Sequence, residues 1–231
     1  IQRSRGLGDV YKRQRQGGQV LDAAVLLACG VDEDGRRDVL GCSVSLSEAE
    51  VHWREFLSSL KDRGLHGLQL VVSDAHEGLQ AARKAVFGGV PWQRCQFHLQ
   101  QNAGAYVTSQ EQRGVVAAEI RAIFNAPDLE EAEHLRTKFV ARHEKKMPKL
   151  ARWADENLQE GFTAFSLPVP HRRRLRTTNM VERLNEEIRR RTRVARLFPN
   201  EASCLRLVSA IVMEIAEDWQ TADKRYLVMD S

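Results

Sequence analysis

The sequence predicts a mixed α/β fold that carries an all-helical block, on three observations. Two apolar, strand-like runs flank an Asp-Gly turn near residue 35, helix and short-strand signals alternate from residue 47 to 94, and strand signals vanish between Phe97 and about Phe165 while helical stripes continue. The first run, Val20 to Gly30, is apolar and bounded by glycines. Asp34-Gly35 supplies the turn, and Asp38 to Leu46 resumes with Val39, Leu40, Val44 and Leu46, so the segment reads as a hairpin. Ser47 with Glu50 has the spacing of a capping box, and Val51, Phe56, Leu57 and Leu60 continue a helical stripe that stops at Arg63-Gly64.

Leu68 to Val72 is a short buried-strand run ending in Ser73-Asp74, followed by a helix over His76 to Val86 and a strand over Val90 to Arg94. In the helical block Asp128 and Glu131 form a second capping box ahead of Leu129, Ala132, Leu135 and Phe139. Leu-Pro-Val-Pro at 167–170 breaks the helical run, and helices are expected again over Asn179 to Arg191 and Glu201 to Asp218. The opening stretch IQRSRGLGDVYKRQ has neither strand alternation nor a helical stripe. Residues 1–16 are therefore expected to be a truncated, foreign or unstructured start.

Composition narrows the function. Hydrophobic residues make up 42% of the 231 and charged residues 29%, which is globular usage and excludes wholesale disorder. The longest apolar run, near Val25 to Cys29, is far below the roughly 20 residues that cross a bilayer, so no membrane role and a cytoplasmic location are expected. Four scattered cysteines without a C-x-x-C pair indicate neither a disulfide framework nor a Cys-rich zinc module. The net charge of +4 is unevenly spread: from His171 to Arg196 there are ten arginines against three carboxylates. Such a segment suits a polyanionic partner. No glycine loop of the P-loop or dinucleotide type is present, which argues against a nucleotide-driven enzyme.

Three places could carry chemistry. Asp74 stands where an apolar strand gives way to a helix, the edge at which α/β sheets bind ligands, yet with Glu77 it also fits a helix N-cap. Glu182 lies inside the arginine run. With Asn179 it forms a possible capping box, and with Asn185 and Glu186 it lies on the polar side of a helix whose buried stripe is Met180, Val181, Leu184 and Ile188. A carboxylate among arginines can hold a divalent ion beside bound phosphates, whereas a solvated helix with internal ion pairs is the plainer alternative. Cys95 and His98 have a C-x-x-H spacing, compatible with half of a zinc site or with a buried thiol and a core histidine.

Read together, three blocks resemble the Mutator-type family of bacterial insertion-sequence transposases from about Gly17 onward. They are VVSDAHEGLQAARKAVFGGVPWQRCQFHLQQN, RTTNMVERLNEEIRRRTRVARLFPNEASCLRL and LLACGVDEDGRRDVLG, in the family order. The resemblance implies an RNase H-like mixed sheet with flanking helices, interrupted by an all-helical insertion. The corresponding domains are a first part of the catalytic core at 17–104, the insertion at 105–170 and a C-terminal helical part of the core at 171–231. It implies an acidic DDE triad in which Asp74 is the second acid and Glu182 the third, both binding Mg²⁺, for which Mn²⁺ can substitute. Cys95 and His98 match the family's C-x-x-H positions and take a structural role.

The implied activity is DNA cleavage and strand transfer, that is, DNA transposition and recombination. The implied partner is double-stranded DNA, at transposon ends and target, with a homo-oligomer when full length and association with the nucleoid. The expected phosphate contacts are Arg172, Arg173, Arg174, Arg176, Arg189, Arg190, Arg191 and Arg193. The alternative is a non-catalytic basic module that binds nucleic acid. One departure stands out: Gly8 occupies the position of the family's first Asp, and Asp9, one residue away, would face the other side of a strand. Weak or absent activity is the consequence expected for this chain.

Overall fold

The computed structural model describes residues 12–16, 19–193 and 197–228, with side chains from 23 to 193 and from 198 to 228. In chain order the elements begin with β1 (Lys12–Gln16), β2 (Gln19–Val31), β3 (Arg37–Ser45), α1 (Glu50–Asp62), β4 (Val71–Ser73) and α2 (Glu77–Phe87). Next come β5 (Trp92–Arg94), α3 (Gln96–Ala103), α4 (Gln110–Phe124), α5 (Leu129–His143) and α6 (Pro148–Asn157), with short 3₁₀ turns between some of them. The chain closes with α7 (Val169–Leu175), α8 (Asn179–Arg191), β6 (Leu197–Phe198) and α9 (Glu201–Thr221). The described chain is thus a mixed α/β protein. It divides into two compact units, one formed by residues 1–91 and 178–231, the other by residues 92–177.

The first unit is built on a sheet of order β3-β2-β1-β6, antiparallel except for the parallel β1–β6 pair. β2 explains why the apolar run from Val20 is continuous. Ala24, Leu26 and Ala28 pack with Trp53, Phe56, Leu57 and Leu60 of α1 and Leu79 and Ala82 of α2, whereas Leu27 and Cys29 pack with Met180, Val181, Leu184 and Ile188 of α8 and Val208 and Val212 of α9. Alternate residues of one strand therefore feed two cores, as the two-residue period of a strand requires when both faces are covered. The hairpin turn falls at Asp32–Gly35, and Gly35 takes the positive φ of 76° that favours glycine.

The hairpin tip is also held from the C-terminal side. The Gly35 carbonyl accepts from the N–H groups of Tyr226 (2.8 Å) and Leu227 (3.1 Å), Arg36 Nη1 donates to the carbonyl of Gln220 at 2.8 Å, and the Arg37 guanidinium lies 4.5 Å from the Trp219 ring centre. Leu227 is buried by this arrangement.

Two local expectations are corrected. Residues 12–16, expected to be unstructured, form β1 and pair with β2 from Lys12↔Ala23 to Gln16↔Gln19. KRQRQ carries no apolar alternation, so its pairing rests on backbone hydrogen bonds that no side-chain pattern announces. Helix α1 does not start on a Ser47 capping box: its N-cap is Ala49 and makes no side-chain cap bond. The 48–50 backbone instead packs against Gly78 of α2, where an added Cβ would come 2.6 Å from the Glu48 carbonyl oxygen and 2.9 Å from the Glu50 nitrogen.

The second unit is helical apart from β5. Leu99 and Ala103 of α3, Val116, Ile120 and Ile123 of α4, Ala132 and Phe139 of α5, and Leu150, Trp153 and Ala154 of α6 form one core. Asp128 caps α5 as expected, its Oδ1 accepting from Glu131 N–H at 2.9 Å. Several buried polar side chains here bond the main chain or one another. Gln93 Nε2 donates to the carbonyls of Arg94 (2.6 Å) and Gly161 (2.9 Å), and Gln93 Oε1 accepts from Ala164 N–H at 2.6 Å. Arg94 Nη1 meets Asn157 Oδ1 at 2.8 Å and Glu160 Oε2 at 2.7 Å, and His143 Nε2 lies 2.6 Å from Glu119 Oε2.

Candidate functional site

Asp74 follows directly on the last residue of β4 and is only 3% exposed. The helix-cap alternative does not hold for it. α2 starts at Glu77, and its N-cap is His76, whose ring Nδ1 accepts from Leu79 N–H at 3.4 Å. The acid thus sits at a strand's carboxyl end, two residues ahead of the capping residue. His76 Nε2 lies 3.8 Å from Glu48 Oε2, which adds a second carboxylate to the environment of the 74–76 loop. Gly78 permits this loop to form, because any larger residue at 78 would strike the 48–50 backbone.

Glu182 stands in the first turn of α8 and is partly exposed. The expected Asn179 capping box is not formed: the N-cap is Thr178, which makes no side-chain bond to the helix backbone. Thr178, fully buried, instead donates its Oγ1 hydrogen to Glu182 Oε1 at 3.0 Å. A buried hydroxyl therefore orients one oxygen of the carboxylate. Met180, Val181, Leu184 and Ile188 form the buried stripe as expected.

Asn185 departs from the expected polar side. It is 7% exposed, and its Oδ1 is buried and accepts no hydrogen bond among the described residues. The sequence held a signal for this, since Asn185 lies four residues after Val181 and three before Ile188, both core positions. Asn185 and Glu182, three residues apart, share a face of α8. An amide oxygen without a bond from the described residues, on one helix face with an oriented carboxylate, offers hard oxygen donors of the kind that suit Mg²⁺ or Mn²⁺.

The arginines fall into distinct groups. On α7 in the second unit, Arg172 donates to the carbonyls of Leu167 (2.9 Å) and Pro127 (2.8 Å). Arg176, which follows that helix, donates to Phe124 O at 3.1 Å and Asn125 Oδ1 at 2.7 Å. Burial, and then the nearby charge of Arg173, lowers the pKa of Arg176. Arg173 and Arg174 are exposed. On α8 in the first unit, Arg190 and Arg191 both bond Glu187, at 2.5 and 2.6 Å, and Arg191 also reaches Glu214 at 2.7 Å. Those two guanidiniums hold the Glu187 carboxyl down to about 2. Arg189 is partly buried, and Arg193, just past the helix, is exposed.

Cys95 is the N-cap residue of α3 and His98 lies in its first turn, both buried in the second unit. The Cys95 Sγ and a His98 ring nitrogen lie within 4.8 Å of each other. Gly8 and Asp9, the residues at and beside the aligned first acid, lie outside the described residues. Among the described residues no helix is long and apolar enough to cross a membrane.

The family described as "Transposase, Mutator family" matches residues 7–222. The chain is 56% identical to the transposase for insertion sequence element IS406 of Burkholderia multivorans, over 94% of this chain and 56% of that protein. It is 42% identical to the transposase for ISRM5 of Rhizobium meliloti, over 95% of this chain and 55% of that protein. It is 32% identical to the transposase for IS256 in transposon Tn4001 of Staphylococcus aureus, over 96% of this chain and 57% of that protein. The chain therefore spans little more than half the length of these curated relatives. A match running through both units and through the segments that carry Asp74, Cys95, His98 and Glu182 establishes that this chain belongs to the Mutator family of transposases.

Proposed function

We propose that this chain carries the metal-binding and DNA-contacting part of an insertion-sequence transposase that cleaves DNA and joins strands through a DDE-type acidic site on an RNase H-like core. In this reading residues 105–170 are an all-helical insertion between the second acid, Asp74, and the third, Glu182. The observation that carries the reading is at Asp74: a carboxylate buried at a strand end, ahead of a helix that another residue caps. A carboxylate taken out of water at the carboxyl end of a strand is costly to keep ionised, and that position favours a cation-binding role.

Asp74 and Glu182 would hold Mg²⁺, with Mn²⁺ as a substitute, and the bound metal supplies activation of the attacking oxygen and charge stabilisation at the leaving one. Thr178 keeps Glu182 in its orientation through the Oγ1 bond. Exposed Arg173, Arg174 and Arg193 would grip phosphates without reading sequence, so binding to duplex DNA weakens as salt rises. Cys95 and His98 have a structural role within α3. Arg172, Arg176, Arg190 and Arg191 already bond protein partners, and their contribution to DNA binding is correspondingly smaller. With Gly8 where the family's first Asp aligns, strand cleavage by this chain is weak or absent.

A supercoiled-plasmid nicking assay with Mg²⁺, run beside Mn²⁺ titration calorimetry, tests this. The expected outcome is little nicking by the parent chain, a gain in Gly8→Asp, loss of that gain in Gly8→Asp/Asp74→Asn, and weaker Mn²⁺ binding in Asp74→Asn and Glu182→Gln. If both single variants bind Mn²⁺ as the parent does, and DNA affinity is unchanged in each, the chain is a non-catalytic nucleic-acid-binding module and the proposal fails.

A further inference from the structure

Asn185 has a role that follows from its surroundings. Its amide oxygen is buried on α8 and accepts no hydrogen bond among the described residues, and the side chain is more than nine-tenths buried. An unsatisfied buried acceptor costs roughly 1–3 kcal/mol relative to a satisfied one, so folded proteins keep few of them. A hydrophobic residue of similar shape would remove that cost. Position 185 adjoins the apolar stripe of Val181, Leu184 and Ile188, where such a residue would pack well. The asparagine therefore persists at the expense of stability.

Its neighbours say what the oxygen serves. Thr178, Glu182 and Asn185 follow one another at spacings of four and three residues, which is one stripe of a helix. Thr178 turns Glu182 by the 3.0 Å bond to Oε1. Asn185 then carries a neutral oxygen on the same helix face as an anionic one whose direction is set. A neutral amide oxygen adds a hard donor without adding charge, and asparagine amides serve as ligands for Ca²⁺ and, in protein kinases, for Mg²⁺.

We infer that Asn185 supplies a further oxygen ligand, directly or through one ordered water, to the divalent cation held at Glu182. The inference rests on the proposed metal role of Glu182 and goes beyond the acids that the family resemblance assigns. It makes the third position of the acidic site a two-residue device on one helix face, Glu182 for charge and Asn185 for coordination.

The test uses the full chain with Mn²⁺ alone as probe, its affinity measured by calorimetry and by electron paramagnetic resonance of free Mn²⁺, beside thermal unfolding without metal. Asn185→Leu is expected to weaken Mn²⁺ binding roughly tenfold. Its melting temperature without metal should equal or exceed the parent's, because the orphaned acceptor is gone. Asn185→Asp keeps an oxygen in place and binds Mn²⁺ at least as tightly as the parent. Glu182→Gln serves as the reference for the underlying reading: weak binding there with unchanged binding in Asn185→Leu overturns the inference alone, whereas parent-like binding in Glu182→Gln overturns both. A lower melting temperature in Asn185→Leu together with loss of Mn²⁺ binding in Asn185→Asp marks Asn185 as purely structural and also overturns the inference.

Discussion

Two buried amides, one in each unit, show how differently the two regions use polarity. Gln93, fully buried in the helical unit, uses both its donors and its acceptor on the backbone of Arg94, Gly161 and Ala164. Asn185, almost as buried in the sheet unit, leaves its oxygen without a bond from the described residues. Around Gln93 the polar atoms organise the chain, joining β5 to the segment near Gly161 that lies far away in sequence. Around Asn185 the polar atoms stand in reserve beside an acid. The buried polarity of Gln93 thus builds structure, whereas that of Asn185, under the role proposed above, serves a bound cation.

The same substitution at both amides tests that contrast with the largest expected effect. Gln93→Leu removes the partners of a buried N–H and two carbonyls and should cost about 4 kcal/mol in urea unfolding, whereas Asn185→Leu should cost nothing. Equal losses at the two sites would erase the distinction. A second pair compares backbone with side-chain crowding. Gly78→Ala drives a Cβ into the backbone of 48–50 and should cost about 3 kcal/mol, with loss of Mn²⁺ affinity because the 74–76 loop shifts. Gly161→Ala meets only Leu99 and Phe124 side-chain atoms, at 2.8 and 2.9 Å, and should cost about 1 kcal/mol with Mn²⁺ affinity unchanged.

A smaller effect sharpens the contrast in charge. Glu187 is held down to about 2 by Arg190 and Arg191, against an ordinary value of 4.5, so its contribution to stability is present above pH 4.5 and lost as pH falls toward 2. Glu187→Gln should therefore flatten the acid limb of the stability profile in that window, measured by denaturant midpoints at successive pH values. The effect is small because the pair is solvent-exposed. The smallest concerns the four free cysteines. Burial pushes the Cys29 thiol up to about 12, and Cys95 and Cys204 are also buried, whereas Cys42 is only partly covered. Maleimide labelling of the native chain should modify Cys42 first, read by peptide mass spectrometry; early labelling of Cys29 would mean that β2 is not shielded on both faces.

Much of this was legible in the sequence, and the exceptions have physical causes. The hairpin, the Asp128 cap, the α8 stripe and the long final helix follow from turn chemistry and apolar period. β1 was hidden because KRQRQ carries no apolar pattern, and α7 because a proline-broken, arginine-rich stretch resembles a linker. The site was half legible. Asp74 and Glu182 stood out by position, but the spacing Asp74–Glu77 mimics a cap that His76 in fact provides, and Asn179–Glu182 mimics one that does not form at Thr178. Asn185 was misplaced because amide residues read as polar in a helical wheel, although its two flanking core positions put it at the edge of the buried stripe. The arginine run read as uniform, yet Arg172, Arg176, Arg190 and Arg191 hold named protein groups, and Arg173, Arg174 and Arg193 are exposed.

The clasp at Gly35 carries one more consequence. Because Tyr226 and Leu227 tether the tail to the hairpin tip while Trp219 lies against Arg37, trimming the chain after Thr221 would strip two donors from one carbonyl and open Leu227's seat to water. The damage would surface some 190 positions upstream, as faster amide exchange at the bend joining β2 to β3. A hairpin bend is thus fastened by a segment almost two hundred residues away along the chain.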